Sequence, residues 1–461
     1  MPASANIAVL EKVQSLETYF HQFRDNIIGK DSFIDVGERK MIRMLYADWT
    51  ASGRCYRLLE EKLINDIMPF IANTHTETNY VGSFITNQYL RARESIKKHV
   101  NASSEDVLIS YGSGMTDVLN KLQRMLGLRV HENFHHSVKE RPVVFVSHME
   151  HHSNHTSWLE TICEVIVVPP DSQGMVSVAQ FNNQLERYPN RKKFIAITAC
   201  SNVTGIETPY HELARLIHEY NGHIIVDFAC SAPYVDIDMH LDSEAYLDAI
   251  CFSPHKFLGG PGSSGILIFN KKLYKNSIPD VSGGGTVDWT NPWGGRRYVD
   301  QFEEREDGGT PAILQTIRAA LAVQLKEQMG VSKILRREEE LMDIIWDGFQ
   351  EIKGVSILAG NVRRRLGVLS FCFDDIHFDD AVQLLNDHFG VQVRGGCSCA
   401  GTYGHYLLDI DATQSKQITD QIDRGNTVAK PGWVRLSIHP TMTNEEACYM
   451  VEAVRAVSKM T

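Results

Sequence analysis

A lysine with the potential for covalent chemistry lies in Ser253-Pro-His-Lys256-Phe-Leu-Gly-Gly-Pro-Gly262, between a predicted strand and a glycine-rich turn. In open α/β sheets, ligands bind beyond the carboxyl ends of the strands. A lysine placed there can be desolvated enough to act as a neutral amine nucleophile. The alternative is a solvated surface lysine, since exposure is the rule for charged residues.

Asp227 supplies the opposite charge at the end of the apolar stretch Gly222-His-Ile-Ile-Val-Asp227. A carboxylate that closes a buried strand needs a cationic partner. A protonated pyridine nitrogen would be such a partner, and pyridoxal phosphate (PLP) needs both this acid and a lysine for its aldehyde. A helix cap or a structural ion pair is the alternative.

An anion-binding turn is indicated by Ile109-Ser-Tyr-Gly112-Ser-Gly-Met-Thr116, which offers a strand, glycines, hydroxyls and then an amphipathic helix. Backbone amides at that helix start would hold a phosphate. The same turn is also common without a ligand. A second glycine pattern, Gly260-Pro-Gly-Ser-Ser-Gly265, has the spelling of a dinucleotide loop but leads into a strand, so we reject NAD or FAD binding.

Four histidines cluster just past another predicted strand, at His148, His151, His152 and His155. The imidazole of His151 could stack on a flat cofactor ring. The spacing fits no zinc motif and few carboxylates are near, so we predict no metal site.

The elements that position these residues alternate between short apolar runs and amphipathic stretches from about 107 to 270, which predicts an α/β fold with a mostly parallel sheet. The predicted strands are 143–147, 194–198, 223–227, 248–252 and 265–269.

The C-terminal part begins with a predicted long helix at 313–329 and a second one near 332–353. A smaller α+β domain follows, with strands at 367–373, 391–394 and 433–438 and helices at 378–389 and from about 444. We therefore divide the chain into an N-terminal helical segment (1–44), a large cofactor-binding domain (45–310), and a connecting helix with a small C-terminal domain (311–461).

The composition excludes several classes of protein. The 461 residues carry a net charge of -11 without a basic tract, which argues against nucleic-acid binding. No apolar run is long enough for a membrane span and no signal peptide is visible, so we expect a cytoplasmic protein. The nine scattered cysteines do not resemble a disulfide framework.

In this order, the segments resemble the class V aminotransferase family of fold type I PLP enzymes, most closely its cysteine desulfurase and selenocysteine lyase branch. The resemblance spans roughly residues 45 to 460. It is carried by Met149-Glu-His-His-Ser-Asn154, Ser201-Asn-Val-Thr-Gly205, and the S-x-H-K pattern at Ser253 to Lys256.

The resemblance implies a role for each of these positions. Lys256 forms the Schiff base with PLP, Asp227 pairs with the pyridine nitrogen, His151 stacks on the ring and Asn202 lies near the ring oxygen. The expected phosphate contacts are Ser113, Gly114, Thr116, Ser253 and His255. Thr310, in Gly309-Thr-Pro311, is expected to reach the phosphate in a neighbouring subunit, which implies a homodimer.

On the substrate side, Val393-Arg-Gly-Gly-Cys-Ser-Cys399-Ala resembles the desulfurase segment VRxGxxCA. Cys399 falls on the sulfur-accepting nucleophile, while Arg394 and Arg435 fall on substrate-binding positions. A guanidinium binds a carboxylate bidentately, and a thiolate attacks the substrate sulfur. The implied products are alanine and a persulfide on Cys399, which a sulfur-acceptor protein could then receive.

This sequence departs from the branch in three places. Cys230 replaces the glutamine that supports the ring oxygen, so the ring electronics can differ. The segment between Cys399 and Arg435 is longer than usual and could form a lid or fill the path of an acceptor protein. Cys397 adds a second thiol, which could resolve a persulfide or be inert.

These observations favour a desulfurase acting on L-cysteine or selenocysteine. A PLP-dependent aminotransferase, epimerase or C–S lyase acting on another amino acid is the alternative, favoured by Cys230 and the insertion. A third hypothesis is a scaffold or sulfur-carrier-binding protein that has kept the fold and lost the chemistry.

Overall fold

The computed structural model describes residues 14–37, 40–74, 78–428 and 430–460. Of the segment 1–44, which we predict to be helical, residues 1–13 and 38–39 lie outside the described residues. The described part contains one helix and a hairpin of two strands: α1 (Leu16–Arg24), β1 (Phe33–Asp35) and β2 (Met41–Arg43). Within the described residues, none of the helices combines the length and the apolar character that a membrane span requires.

The large domain is built on a seven-stranded sheet, which confirms the α/β fold with a mostly parallel sheet. Its spatial order is β4-β10-β9-β8-β7-β5-β6, and only β10 runs antiparallel to its neighbours. After the short β3 (Leu45–Tyr46), the strands of the sheet are β4 (Asp106–Tyr111), β5 (Val143–Ser147), β6 (Glu164–Val168), β7 (Lys193–Thr198), β8 (His223–Asp227), β9 (Ala249–Phe252) and β10 (Gly265–Asn270).

Apolar side chains on the two faces of this sheet form two separate cores. In β4, Leu108 points into one core while Val107 and Ile109 point into the other, as the period of two in a strand requires. Amphipathic helices cover these faces. They are α2 (Arg57–Lys62), α3 (Tyr80–His99), α4 (Met115–Met125), α5 (His152–Leu159), α6 (Val178–Leu185) and α7 (Tyr210–Glu219).

A hairpin of two strands, a short helix and two long helices connect the two domains. The hairpin consists of β11 (Val287–Thr290) and β12 (Arg296–Tyr298), and the short helix is α8 (Phe302–Arg305). We predicted none of these three elements. The helices are α9 (Ile313–Met329) and α10 (Val331–Gln350), close to the predicted bounds.

The small domain has a four-stranded antiparallel sheet of order β13-β14-β17-β16. The insertion after Cys399 forms two helices, α12 and α13. The elements are β13 (Val355–Ile357), β14 (Val368–Phe373), α11 (Phe378–Phe389), β15 (Val391–Gln392), β16 (Arg394–Gly396), α12 (Gly401–Leu407), α13 (Ala412–Asp423), β17 (Trp433–Ser437) and α14 (Asn444–Val457).

The strand predicted at 391–394 is wrong as a single strand, because it divides between two sheets. β15 pairs in parallel with β3, whereas β16 pairs with β17. Residues 45–46 thus join the small domain through backbone hydrogen bonds, although they open the segment that we assign to the large domain.

The sheet brings the predicted site residues to one edge. β4, β5, β7, β8 and β9 all end there, and β10 starts there beside the turn after β4. A Cβ on Gly265 would lie 2.2 Å from the carbonyl oxygen of Gly114, so only glycine allows the two segments to approach this closely.

We expect Gly265→Ala to lower the free energy of unfolding by about 1–3 kcal/mol, the usual range for overpacking. The clash is with backbone, which cannot rotate away. Gly284→Ala is the matched control, because nothing lies within 4 Å of its added Cβ. Denaturant unfolding followed by circular dichroism checks both variants, and equal midpoints would contradict the prediction.

Candidate active site

A cavity of about 330 Å³ opens at the carboxyl edge of the large sheet, between the two domains. It gathers all of the predicted site residues except one. The predicted residues among its lining are Ser113, Gly114, Thr116, His151, Asn202, Asp227, Cys230, Ser253, His255, Lys256, Arg394, Cys399 and Arg435.

Thr310 is the exception. It is exposed on the surface and does not line the cavity of its own chain. Its predicted contact is with the cofactor of a neighbouring subunit, so this role stays a prediction.

Lys256 closes the short 3-10 turn Pro254–Lys256 that follows β9. The glycine-rich turn after it folds back closely, because a Cβ on Gly260 would lie 1.8 Å from the carbonyl oxygen of Pro254. Among the described residues, no side chain or carbonyl accepts a hydrogen bond from the Lys256 amine. Burial lowers the pKa of this amine, against the opposing charges of Cys230 and Asp227. The Lys256 amine therefore loses its proton more readily than a solvated lysine does.

Asp227 is the last residue of β8 and is 4% exposed. Its Oδ1 accepts a hydrogen bond of 2.8 Å from the amide of Ala229, the only partner that it has among the described residues. Burial raises the pKa of this carboxyl to about 6, although the Ala229 hydrogen bond and the charge of Lys256 lower it. A cation at the free side of the carboxylate would relieve this desolvation.

The imidazole of His151 is neutral. Its Nδ1 accepts a hydrogen bond of 3.1 Å from the amide of Ser153, at the start of α5. Burial lowers its pKa to about 3, and the charge of Lys256 adds to this effect. An uncharged flat ring in the cavity can stack on another ring.

The other three histidines of the cluster point to different partners. His148 Nε2 bonds the carbonyl of Gly174, His152 Nε2 accepts from the amide of Gly401, and His155 Nδ1 bonds the hydroxyl of Thr402. In the part of the chain that the structure describes, no group of three or more His, Cys, Asp or Glu side chains could hold a metal ion.

The glycine turn after β4 is arranged as an anion site at the start of α4. The Ser253 hydroxyl accepts a hydrogen bond of 2.8 Å from the Met115 amide, which fixes the turn against the lysine segment. The carboxylate of Asp117 accepts a hydrogen bond of 2.7 Å from the amide of Ser113. The hydroxyl of Ser113 and the ring of His255 have no partner among the described residues and line the cavity, and the first amides of the helix lack intrahelical partners.

Cys399 is exposed and lies in a strained turn. Both Ser398 (φ 51°) and Cys399 (φ 57°) adopt the left-handed conformation, which is costly for residues other than glycine. Two hydrogen bonds fix the turn: the amide of His152 donates to the Cys399 carbonyl at 2.7 Å, and Asn202 Nδ2 donates to the Ser398 carbonyl at 2.8 Å. The thiol is thus held at the cavity by a backbone arrangement that the surroundings enforce.

Arg394 and Arg435 reach the cavity from paired strands of the small domain, where they lie directly opposite each other. Both contact Asp48, a residue that our sequence analysis missed. Asp48 Oδ1 is 2.6 Å from Arg435 Nη2, and its Oδ2 accepts from Arg394 Nε at 3.1 Å. The available signal was that Asp48 is the only charged residue in residues 45–53.

Cys230 lies beside a second buried thiol, Cys200, which also escaped the sequence analysis. The sulfur atoms of both residues hydrogen-bond the carbonyl of Ser201, at 3.7 Å and 3.6 Å. The Cys200 thiol lowers the pKa of Cys230, and the charge of Lys256 lowers it further, whereas burial raises the pKa of Cys200.

Comparison with known proteins identifies the family to which the chain belongs. The model of the aminotransferase class-V family matches residues 46–450. The chain belongs to the aminotransferase class-V family. The members of this family are PLP-dependent enzymes, which confirms the predicted resemblance.

Curated relatives narrow the resemblance to one branch. The chain is 27% identical over 377 residues to a probable cysteine desulfurase of Halalkalibacterium halodurans, covering 80% of this chain and 87% of the relative. It is 28% identical over 384 residues to a probable cysteine desulfurase of Staphylococcus aureus, covering 82% and 89%.

Solved structures share the fold over nearly the whole chain. A cysteine desulfurase from Thermococcus onnurineus matches with a TM-score of 0.76 at 22% identity, covering 95% of this chain and 98% of that chain. A cysteine desulfurase from Escherichia coli matches with a TM-score of 0.72 at 21% identity, with the same coverage. The class V chain therefore has the fold type I architecture.

The residues at the cavity fit PLP. A buried carboxylate with one satisfied oxygen suits a pyridine nitrogen, an unpaired buried amine suits the aldehyde, and a neutral imidazole suits the ring face. The hydroxyls and amides of the turn before α4 suit the phosphate, although Asp117 also lines that part of the cavity.

We expect Asp227→Asn to change how the stability of the cofactor-free protein depends on pH. The pKa of Asp227 rises from 3.8 to about 6 on folding, so the folded state binds the proton more tightly. The free energy of unfolding then falls as pH rises from about 4 to about 6, by up to about 3 kcal/mol from this group. Asparagine has no proton to lose. The free energy of unfolding of the variant, relative to that of the wild type, should therefore increase as pH rises across that window.

Denaturant midpoints measured at intervals between pH 4 and pH 7 check this expectation. Asp347→Asn is a control, because Asp347 is on the surface beside Arg363 and far from the buried sheet edge. A stability difference between wild type and Asp227→Asn that is the same at every pH would contradict the assignment of the raised pKa.

Proposed function

We propose that this class V enzyme removes sulfur from L-cysteine, or selenium from selenocysteine, and gives alanine. The observation that carries the proposal is the thiol of Cys399, which is exposed to the same cavity as Lys256 and the two arginines. A nucleophilic sulfur is needed for desulfuration and not for transamination. The names of the curated relatives support the same activity.

When bound, PLP would withdraw electrons from the α- and β-carbons of an amino acid. Lys256 would hold it covalently, Asp227 would keep its pyridine nitrogen protonated, and His151 would cover its ring. The Arg394 and Arg435 guanidiniums would orient the carboxylate of the substrate. Lys256, whose amine has no hydrogen-bond partner among the described residues, would also serve as the base that moves the α-proton.

In the sulfur step, the Cys399 thiolate attacks the sulfur of the substrate. A bond forms between the two sulfur atoms, and the bond between the sulfur and the β-carbon breaks. The electron pair of the broken bond stays on the β-carbon, which takes up a proton and becomes the methyl group of alanine. Cys399 is left as a persulfide, ready for a thiol acceptor or a sulfur-acceptor protein.

Cys230 favours a second candidate, in which the enzyme acts as a PLP-dependent aminotransferase, epimerase or C–S lyase on another amino acid. The thiol lines the cavity close to the charge of Lys256, where the desulfurase branch has a glutamine. These reactions need Lys256 and no nucleophilic sulfur. Dependence on Cys399 therefore separates the two candidates.

A cytoplasmic location is also part of the proposal. All nine cysteines are free thiols, and a reducing compartment keeps them so.

A homodimer is the assembly that we propose. Several large apolar side chains between residues 58 and 90 are exposed, among them Leu58, Ile64, Ile71, Tyr80 and Leu90. Helix α3 in this stretch holds the segment before Thr310, because Arg93 pairs with Glu303 at 2.9 Å. A second copy seated on this surface would cover the apolar side chains and bring Thr310 towards the other cavity.

Cys399→Ala is expected to reduce the formation of alanine and sulfide from L-cysteine by roughly a hundredfold or more, because Cys399 is the exposed thiol of the cavity, whereas the thiol of Cys230, which also lines it, is buried. Absorbance of the bound cofactor should be unchanged. Cys448→Ala is the matched control, since Cys448 is also exposed but lies on α14 away from the cavity. Undiminished formation of alanine and sulfide by Cys399→Ala would reject the Cys399 persulfide route, whereas a cofactor-loaded wild-type enzyme that forms neither product from L-cysteine would favour the second candidate.

The dimer leads to a complementation test with two inactive variants. Lys256→Ala disables the cavity of its own chain, and Thr310→Ala disables the cavity of its partner. Co-expressed and purified as a mixed dimer, they should form one intact site, from Lys256 of one chain and Thr310 of the other. The mixed dimer should retain cofactor and activity above either parent. A mixture no better than the parents, or a monomer by light scattering, would contradict the shared site.

A further inference from the structure

Asp48 is an internal carboxylate bound to both substrate-side arginines. Its two oxygens are divided between them, at 2.6 Å from Arg435 Nη2 and 3.1 Å from Arg394 Nε. The side chain of Asp48 is 14% exposed and that of Arg435 is 4% exposed, whereas 47% of the Arg394 side chain is exposed. A carboxylate of the chain thus occupies the place where two guanidiniums converge.

The backbone fixes this carboxylate in place. Asp48 forms a bridge with Ser437 at the end of β17, and the amide of Ser437 donates to the Ala47 carbonyl at 2.7 Å. The amide of Ala47 in turn donates to the carbonyl of Gln392 at 3.0 Å. Because Arg394 and Arg435 are directly opposite on adjacent strands, their like charges would repel without an anion between them.

Few guanidinium donors remain for a ligand. Arg435 Nη1 donates to the carbonyl of Asn202 at 3.2 Å, and its buried Nε has no partner among the described residues. The two terminal nitrogens of Arg394 have no hydrogen bond to any described residue. The two terminal nitrogens of Arg394 can bind one carboxylate bidentately, and the single buried Nε of Arg435 cannot bind a second one in this way.

The charges around the cavity also indicate that it can bind one carboxylate of a ligand. Its lining contains the cations Lys256, Arg394 and Arg435 and the carboxylates Asp117 and Asp227. Asp48 cancels one of the two guanidinium charges. A ligand with a second carboxylate would bring it towards Asp48, whose charge already offsets one of the two guanidinium charges.

We propose that Asp48 is a specificity-determining residue, which leaves the two arginines able to take one carboxylate. It makes the cavity select amino acids with a single carboxylate and an uncharged side chain, and reject dicarboxylic amino acids. This inference rests on the proposed function for the use of the cavity by an amino acid, and it adds the substrate class.

The test is the ratio of the dissociation constants of L-aspartate and L-alanine, measured on the PLP-loaded enzyme by equilibrium titration of the cofactor absorbance. Asp48→Asn preserves the shape and removes the charge, so the ratio should fall by roughly tenfold or more. A general loss of positioning would weaken both ligands together and leave the ratio unchanged. An unchanged or increased ratio in Asp48→Asn overturns the proposal.

Asp280→Asn is the matched control. Asp280 also bridges two cations, Arg124 at 2.8 Å and Lys121 at 3.4 Å, but neither of these cations lines the cavity, whereas both arginines bound by Asp48 do. Its loss should leave the ratio at the wild-type value. A ratio that falls as much in Asp280→Asn as in Asp48→Asn overturns the proposal, because loss of any buried ion pair would then suffice.

Arg394→Gln decides the matter if Asp48→Asn does not fold, because the Arg394 side chain is half exposed. Removing one cation while Asp48 remains should raise the ratio, and an unchanged or lower ratio overturns the proposal. Binding ratios do not depend on turnover. A shifted ratio without alanine and sulfide from L-cysteine would reject the desulfurase activity alone, whereas normal turnover with an unshifted ratio would reject the role of Asp48 alone.

Discussion

The site depends on the burial of two opposite charges that do not contact each other. Asp227 ends one strand of the sheet, and Lys256 follows the adjacent strand. No ion pair joins the two residues in the described structure. Each charge is desolvated, so the amine pKa falls and the carboxyl pKa rises. A group bound between the two that carries a complementary charge towards each of them would offset this cost. The separation thus creates the demand that a flat, charged cofactor satisfies, and the parallel sheet is the scaffold that maintains it.

The small domain adds a second pair of charges under a different constraint. Arg394 and Arg435 project from neighbouring strands and would repel each other, and the anion that stabilises them comes from residues 45–50, far away in sequence. This segment joins β15 through β3 and joins β17 through the Asp48 bridge. The arginine side of the cavity therefore forms only when residues 45–50 meet the strands β15 to β17 near the other end of the chain. A relative movement of the two domains would displace the two arginines and Asp48 together.

The sequence predicts the parts of this structure whose signals are local. The buried strands β5 and β8 and the helices α9 and α11 have the predicted bounds, because their apolar periodicity needs no knowledge of a partner. The stretch 391–394 shows the limit: its β propensity is real, but its division between two sheets depends on β3 and β17. Asp48 was missed for the same reason, since its partners are 346 and 387 residues away. The hairpin of β11 and β12 was missed because its exposed strands lack an apolar pattern.

The first part of the insertion after Cys399 packs into the protein and does not form a lid. Tyr403 on α12 is 2% exposed, and its ring packs edge-on against the ring of His148 at 5.4 Å. His152 binds both the Cys399 carbonyl and the Gly401 amide, so the segment that carries the thiol is held from both sides. Helix α13, which has no buried residue, lies on the surface. A thiol on a fixed, strained turn cannot travel far, so under the proposed function an acceptor of its sulfur would have to come to the mouth of the cavity. Selection among such acceptors would then depend on the surface around that mouth, in a segment that is longer here than is usual in the branch.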